Sequence, residues 1–589
     1  MAPNKPLPQP SPWVILLLAV CSSAGSLALS WRHWSSPVVD FGREIYTAWQ
    51  LHQGAILHRD IAWFNGPLSA WWNGFWFDRL GVGLLSLVAV NAVLFGLFLA
   101  LTCWVTAQAF DRAAAAIAAL VVPLVFGLSQ PLGVGIFNFL TPYSHEITHG
   151  ALLGIACLSA TYRGRLVAWH WAPISGLALG LSALTKPEVF AATFGGWLAL
   201  ILALPRAHGS RTRASQVVAT LASAALPLAL AYLKLRTQLS PELARKALLG
   251  AWPYVADERV RELPFYANLS GLASPPAYLR AMGLALCRYT VYIACWFALR
   301  RWLGRIGSTG LFILAALCHG LFLNYVPWLS IARPLPLLAL VVGFLSAWQA
   351  WRGPGPERPA PALRLGLAVF AIGLLAKIAL NVRLMHYGFV LALPATVLAI
   401  GTSAVSLPQL LDSRTRLLAS QIRTVVIAFW LVLSGVWLLR SNEHWNQQSG
   451  SFGSASDRFH ALPELAEPME AARTWLQQRI QSNETLLALP EGVMLNYQLR
   501  VPSPTRFVNF MPPELLFWGE HAILEELKAA PPDYVILVHK DTSEYGAPYF
   551  GRHYAQAIYA WVQRNYSIRT TFGAPPFTSP AFGVAIYSR

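Results

Sequence analysis

The chain of 589 residues is 55% hydrophobic and only 12% charged, and its 44 Lys and Arg against 27 Asp and Glu give a net charge of +17. So apolar a composition excludes an ordinary soluble protein. The basic excess has no zinc-finger spacing and no soluble basic arm behind it, so it belongs to membrane topology and gives no reason to expect nucleic acid as a partner.

In chain order, about thirteen apolar segments are expected to be membrane helices. They lie near residues 13–29, 82–106, 113–128, 149–161, 169–184, 189–204, 215–233, 281–298, 308–325, 334–350, 364–380, 387–404 and 422–439. The first reads as an uncleaved anchor, although Ser22-Ser23-Ala24-Gly25-Ser26 supplies the small residues of a cleavage site. With Lys5 in the cytoplasm, the cytoplasmic turns hold Arg112, Arg163/Arg165, Arg206/Arg211/Arg213, Arg300/Arg301/Arg305, Arg352/Arg358/Arg364 and Arg414/Arg416/Arg423. Each is short and basic, as the positive-inside rule requires. The outer loops are then those at about 30–81, 129–148 and 234–280, and an odd number of spans puts the C-terminal residues outside as well. The expected organisation is a transmembrane catalytic domain over 1–440 and a periplasmic α/β domain over 441–589. Gly353-Pro354-Gly355-Pro356 reads as a cytoplasmic linker. The six cysteines fall in or beside apolar segments, so no disulfide framework or thiolate metal site is implied.

The outer loops carry the candidate chemistry. Asp40 stands about ten residues beyond the first apolar segment. An acidic group at a lipid boundary is costly to desolvate, so it tends to pair, bind metal or react; a loop Asp that caps a helix is the plain alternative. Asp60 competes for the same role, but Arg59 beside it makes a surface ion pair an equal explanation. In Tyr143-Ser144-His145-Glu146-Ile147-Thr148-His149, a helix would put His145 and His149 on one face, where Glu146 could complete a divalent metal site or contact an acceptor. Lys186, Arg333 and Arg383, the last beside His386 and Tyr387, are cations at span ends suited to a phosphate. Snorkelling toward lipid headgroups explains such residues too, and Lys186 and Glu188 could neutralise each other. The aromatic run from Trp63 to Phe77 reads mostly as an interfacial stretch, and the 234–280 loop as an interfacial segment able to act as a lid.

The outer domain is expected to hold a helix over 464–480, strands at 486–489, 534–538 and 583–587, and helices near 519–530 and 552–565. It lacks a glycine-rich dinucleotide fingerprint and a phosphate loop, and the chain has no Asp-x-Asp triplet. This points to an accessory module for acceptor recognition or for covering the membrane site.

The first loop, Asp40-Phe41-Gly42-Arg43-Glu44 through Ala48-Trp49-Gln50-Leu51-His52-Gln53-Gly54 to Arg59-Asp60-Ile61-Ala62-Trp63-Phe64-Asn65-Gly66-Pro67-Leu68, resembles that of polytopic GT-C glycosyltransferases. The likeness is to the bacterial branch related to protein O-mannosyltransferases and lipid A aminoarabinose transferases. Leu184-Thr185-Lys186-Pro187-Glu188, Met385-His386-Tyr387-Gly388-Phe389 and Pro490-Glu491-Gly492 are further echoes. One departure is that many relatives pair two acidic residues where Phe41 follows Asp40. The resemblance implies a polyprenyl-phosphate sugar as donor, a lipid, glycan or protein acceptor, and an inverting displacement at the outer face of a bacterial inner membrane. Asp40 would be the base. A transporter or flippase is the alternative from another class, but related halves and broken midplane helices are not evident. A lipid-linked glycan polymerase or ligase shares donor and topology and stays open.

Overall fold

The computed structural model describes residues 9–166, 170–204, 213–255, 257–303, 306–352, 359–411 and 416–589. The Gly353–Pro356 linker lies outside these residues, as do Lys5, Arg206, Arg211, Arg305, Arg358 and Arg414 of the basic turns.

Every one of the thirteen apolar segments carries helix. The N-terminal part runs α1 (Pro12–Leu29), α2 (Phe41–His52), α3 (Leu68–Leu80), α4 (Leu84–Ala109), α5 (Arg112–Val121), α6 (His145–Leu166), α7 (Trp171–Ala183), α8 (Pro187–Ala203) and α9 (Arg213–Gln238). Further long helices follow at Pro275–Leu303, Ser308–Tyr325, Leu335–Arg352, Pro359–Leu375 and Arg416–Gln447. Eight helices among the described residues are long and apolar enough to cross a membrane, and α7 and α8 are shorter apolar helices. The protein is a polytopic helical membrane protein with a small C-terminal sheet domain.

Local chemistry sets the helix ends. Ser11 accepts from the Val14 N–H with Pro12 at the first position of α1, and Asp111 accepts from the Ala114 N–H at the start of α5. Between helices, small residues permit close packing where apolar side chains gain nothing over lipid. Gly180 of α7 is such a point: a Cβ there would overlap the Ala224 carbonyl of α9, and Gly176 one turn earlier meets Thr220 in the same way.

The long loops at 30–81 and 234–280 are not open coil, whereas 129–144 has no regular element. The first holds α2 and α3, and the 234–280 loop holds four short helices from Pro241 to Ser270. Beyond Gln447, β1 (Gly450–Phe452) and β2 (Phe459–Ala461) form a short antiparallel pair. Strands β3 (Leu486–Leu489), β4 (Tyr534–Val538), β5 (Ser567–Gly573) and β6 (Gly583–Ser588) form a sheet in the order β3-β4-β6-β5, in which only β3 and β4 are parallel. Alternation sends Ala488, Ile536, Val538, Val584 and Ile586 to one face, against Ala466, Met469 and Ala472 of the helix Pro463–Gln477. Leu487, Leu489, Val535 and Leu537 point to the other, against Ile523, Leu527, Ile558 and Val562. The result is a helix–sheet–helix sandwich. Three strands and the flanking helices lie where the sequence pattern put them. The pattern missed β5, because this edge strand is largely exposed and carries Arg569, Thr570 and Thr571 instead of an apolar alternation.

Gly180→Val should lower the melting temperature of the detergent-solubilised protein, because overpacking against fixed backbone costs roughly 1–3 kcal/mol. Gly25→Val, where a Cβ meets nothing within 4 Å, should leave it unchanged.

Candidate active site

The site is built where α2 docks on the C-terminal domain. Phe41, Ile45, Ala48 and Trp49 give α2 a buried apolar face, packed on the short helix Met494–Leu499. Gly42 permits this approach: a Cβ there would stand 2.8 Å from the Met494 nitrogen. Tyr46 secures the dock by accepting from the Ser503 N–H at 2.8 Å.

Asp40 occupies the N-cap position of α2, where its carbonyl accepts from the Arg43 N–H, but its side chain makes no capping hydrogen bond, so the carboxylate does not serve as a helix cap. Its φ of 58° falls in the left-handed region, a conformation that persists only when the surroundings impose it. They do so from both sides. The Asp40 N–H donates to Glu491 Oε1 at 3.1 Å, and Asp40 Oδ2 accepts from the Ile136 N–H at 3.3 Å. Burial, helped by the negative charge of Glu491, pushes the Asp40 carboxyl up to about 7, while Lys540 and Arg43 pull the other way.

One turn on, Glu44 behaves oppositely. Burial works against its charge, but the His145 hydrogen bond and Arg43 outweigh burial and hold it below the ordinary carboxylate range. His145 Nδ1 lies 2.9 Å from Glu44 Oε2, and Asn91 Nδ2 lies 3.0 Å from His145 Nε2. Asn91 donates there, so the Nδ1–H donates to Glu44. Glu44 also lies 3.4 Å from Arg43 Nη2. Arg43 spans the cluster, with Glu514 Oε1 at 3.9 Å on its other side and the rings of Trp63 and Phe64 beneath its guanidinium at 5.7 and 5.4 Å. Burial pushes Glu514 up to about 7, against the pull of Arg43.

Glu146 is fully buried at the start of α6. Its Oε2 accepts from the Ser144 hydroxyl, and its Oε1 has no protein partner. His149 Nδ1 pairs with Ser69 Oγ at 3.0 Å, leaving Nε2 buried and without a protein partner. The site thus keeps buried polar atoms unspent, which native proteins do mainly where a ligand or water completes them.

Two stretches of the first-loop resemblance meet physically. Gly66 N–H donates to Thr185 O at 2.9 Å and Leu68 N–H to Leu184 O at 3.2 Å, so the Gly66-Pro67-Leu68 segment clamps the turn that carries Lys186. Lys186 is 8% exposed, with its ammonium 4.8 Å from the centroid of the Tyr143 ring. The alternative, an ion pair between Lys186 and Glu188, is not formed: Glu188 pairs with Lys377 at 2.8 Å. Lys186 has no carboxylate within ion-pair distance among the described residues.

Arg333 and Arg383 are neighbours at the same end of the bundle. Arg333 reaches Asn381 Oδ1 at 3.4 Å and keeps Nε and Nη1 buried without protein partners, and Arg383 Nε is likewise unpaired. An apolar groove of about 730 Å3 borders Ala332, Pro334 and Leu384, which flank both arginines in sequence, and runs between Tyr292, Leu338 and Phe429. His386 and Tyr387 close the gap toward Asp40 as packing residues. His386 packs against Phe137 with tilted rings 4.4 Å apart, and burial with the Arg383 charge pushes it down to about 4. Tyr387 lies edge-on to Tyr143 at 4.8 Å.

Asp60 is not brought to this cluster. It pairs with Arg59 at 2.7 Å on the surface and accepts from the Ile56 N–H. His145 and His149 do share a face, 5.4 Å apart, but both ring nitrogens of His145 are taken. No group of three His, Cys, Asp or Glu among the described residues comes together to hold a metal. Arg43, Glu44, Glu491, Lys540, Glu514 and Lys377 were not foreseen as site residues. Glu44 had a signal, since it lies on the apolar face of an amphipathic helix, and Glu491 stood in the Pro490-Glu491-Gly492 echo without being read as a site residue; Glu514 and Lys540 are distant in sequence and had none.

No protein-family model matches the sequence, and no curated protein matches it. Among solved structures the chain is similar to the Archaeoglobus fulgidus oligosaccharyltransferase, with a TM-score of 0.49 and 14% identity over 95% of this chain and 73% of that one. It is similar to ArnT from Cupriavidus metallidurans bound to undecaprenyl phosphate, with a TM-score of 0.43 and 14% identity over 98% of each chain. It is also similar to the mycobacterial arabinofuranosyltransferase AftD, at 0.36 and 13% identity over 99% of this chain and 40% of that one. These are GT-C glycosyltransferases.

The raised carboxyl of Asp40 has a stability consequence. In the unfolded chain it ionises near the ordinary 3.8, in the folded one near 7. Ionisation therefore opposes folding, fully above about pH 7 and not at all below about 4. Asp40→Asn should raise the melting temperature at pH 8 by a few degrees and lose that advantage by pH 4, as read by thermal unfolding at the two pH values.

Proposed function

We propose that the protein transfers a sugar from a polyprenyl-phosphate-linked donor to an acceptor hydroxyl at the outer face of a bacterial inner membrane, by a single inverting displacement. The observation that carries this reading is the apolar groove lined by Ala332, Pro334 and Leu384, the sequence neighbours of Arg333 and Arg383, with His386 and Tyr387 between those arginines and the buried Asp40 carboxyl. An amphiphile with a long hydrocarbon tail and an anionic head matches that combination of surfaces.

In this reading the prenyl tail lies in the groove, and Arg333, Arg383 and Lys186 face the phosphate. The acceptor hydroxyl attacks the anomeric carbon, and the bond to the phosphate oxygen breaks. Asp40 takes the hydroxyl proton, and the cations offset the charge that gathers on the departing polyprenyl phosphate. Glu44, held ionised by His145 and Arg43, keeps Arg43 fixed beside Asp40. Glu146 and Glu514, each with an unspent buried oxygen, contact the acceptor or donor hydroxyls. The C-terminal domain lies on the same side of the membrane as the first loop, since the two pack together.

Incubation of the purified protein with labelled polyprenyl-phosphate sugars should release polyprenyl phosphate only when an acceptor is present. Asp40→Asn should lower turnover by roughly 10²- to 10⁴-fold, the usual contribution of positioned proton transfer, with donor binding kept. Asp60→Asn should stay near normal. Normal turnover in Asp40→Asn would remove the base assignment. Separately, Arg383→Ala and Lys186→Ala should raise the donor concentration needed for saturation, and unchanged donor saturation in both would take the phosphate away from these cations.

A further inference from the structure

We propose that Glu491 and Lys540 of the C-terminal domain form a positioning pair that sets the proton affinity of Asp40, so that this domain is part of the catalytic machinery and not only a cover for it. The inference rests on Asp40 being the base of the reaction proposed above.

The sheet topology creates the pair. Strands β3 and β4 are parallel neighbours with Leu489 opposite Leu537, so they end side by side. Glu491 stands two residues beyond the end of β3 and Lys540 two residues beyond the end of β4. The carboxyl ends of adjacent parallel strands are where open α/β sheets place functional groups. Here that edge is aimed at the first loop. Glu491 Oε1 accepts from the Asp40 N–H at 3.1 Å, and Glu491 Oε2 lies 3.3 Å from Lys540 Nζ. Both side chains are largely buried, at 12% and 22% exposure, so their charges are weakly screened.

The two charges act on Asp40 in opposite senses. Glu491 holds the backbone of Asp40 in its left-handed conformation and disfavours a second negative charge beside it. Lys540 tempers that effect, and its own ammonium is raised by Glu491 and Asp40, which outweigh burial. The other groups facing Asp40 are Arg43 on α2, the Ile136 N–H of the second outer loop, and the rings of Tyr143 and Tyr387. Glu544 faces Lys540, and Glu491 is felt in turn by Glu514 and Glu544. Of these, Glu491 alone both touches Asp40 and comes from the C-terminal domain with a countercharge of its own.

The test follows the carboxyl infrared band that Asp40→Asn removes, titrated in the purified full-length protein. Glu491→Gln, which keeps an oxygen for the Asp40 N–H, should move its midpoint down by about one pH unit. Lys540→Met should move it up by about the same amount, and the double variant should fall between the two. The acid limb of the transfer rate should shift with the midpoint in each variant. Midpoints that stay put, or that move the same way in both single variants, overturn the proposal. If Lys540→Met fails to insert, Lys540→Gln carries the same expectation. The reading of Asp40 as base fails separately, through normal turnover in Asp40→Asn, and the infrared midpoints still decide whether the pair governs that carboxyl.

Discussion

The contact on which the rest of the site depends is the packing of α2 against the Met494–Leu499 helix. A helix in a loop of the membrane part and a separate sheet domain have no intrinsic reason to hold a fixed relation, and interfaces of this kind move by default. Here Gly42 lets backbone lie against backbone, the apolar stripe of α2 continues the core of one face of the sheet, and Tyr46 adds a hydrogen bond across the seam. Further ties run from the same loop. Arg32 donates to the carbonyls of Ala455 and Arg458, the Ala62 N–H donates to Arg506 O, and the Leu84 N–H donates to Asp457 Oδ1. Because α2 is held this way, Asp40, Arg43 and Glu44 share one location instead of riding on a mobile loop.

Burying so many charges together would be prohibitive if each stood alone. The cluster survives because its carboxylates fall into two kinds. Glu44 and Glu188 have close cationic or imidazole partners at 2.8–3.4 Å. Asp40 and Glu514 have weaker or more distant partners, and burial pushes both to about 7. Environments that push like groups apart in this way separate a structural carboxylate from one able to exchange a proton at neutral pH. The same division separates the cations: Lys377 is spent on Glu188, while Lys186 lies against the Tyr143 ring without an ion pair and Arg333 and Arg383 keep unpaired nitrogens beside residues that line the groove.

The departure noted in the first loop, Phe41 in place of a second acidic residue, acquires a physical meaning in this arrangement. Phe41 is fully buried and packs 5.6 Å from His145, so that position serves the seam. The next acidic residue in the chain is Glu44, one helical turn later, and it contacts the same imidazole. The site also borrows from the C-terminal domain, whose parallel strands end beside Asp40.

The sequence by itself determined the helical segments, the strands whose residues alternate between two buried faces, and Asp40, Glu146, Lys186, Arg333 and Arg383 as charges near span ends. Those properties are local: apolar length, periodicity of two or 3.6, and a charge where lipid makes charge costly. Tertiary structure alone decided which charges are spent. That Glu188 goes to Lys377, that His145 is occupied by Glu44 and Asn91, and that Asp60 stays on the surface depend on residues up to 189 positions apart. Glu491, visible only as part of the Pro490-Glu491-Gly492 echo, and Lys540 could not be placed beside Asp40 for the same reason. Each is an ordinary polar residue after a strand, and it acquires a role only when two parallel strands and the docked helix bring it to Asp40 across some 450 to 500 residues of chain.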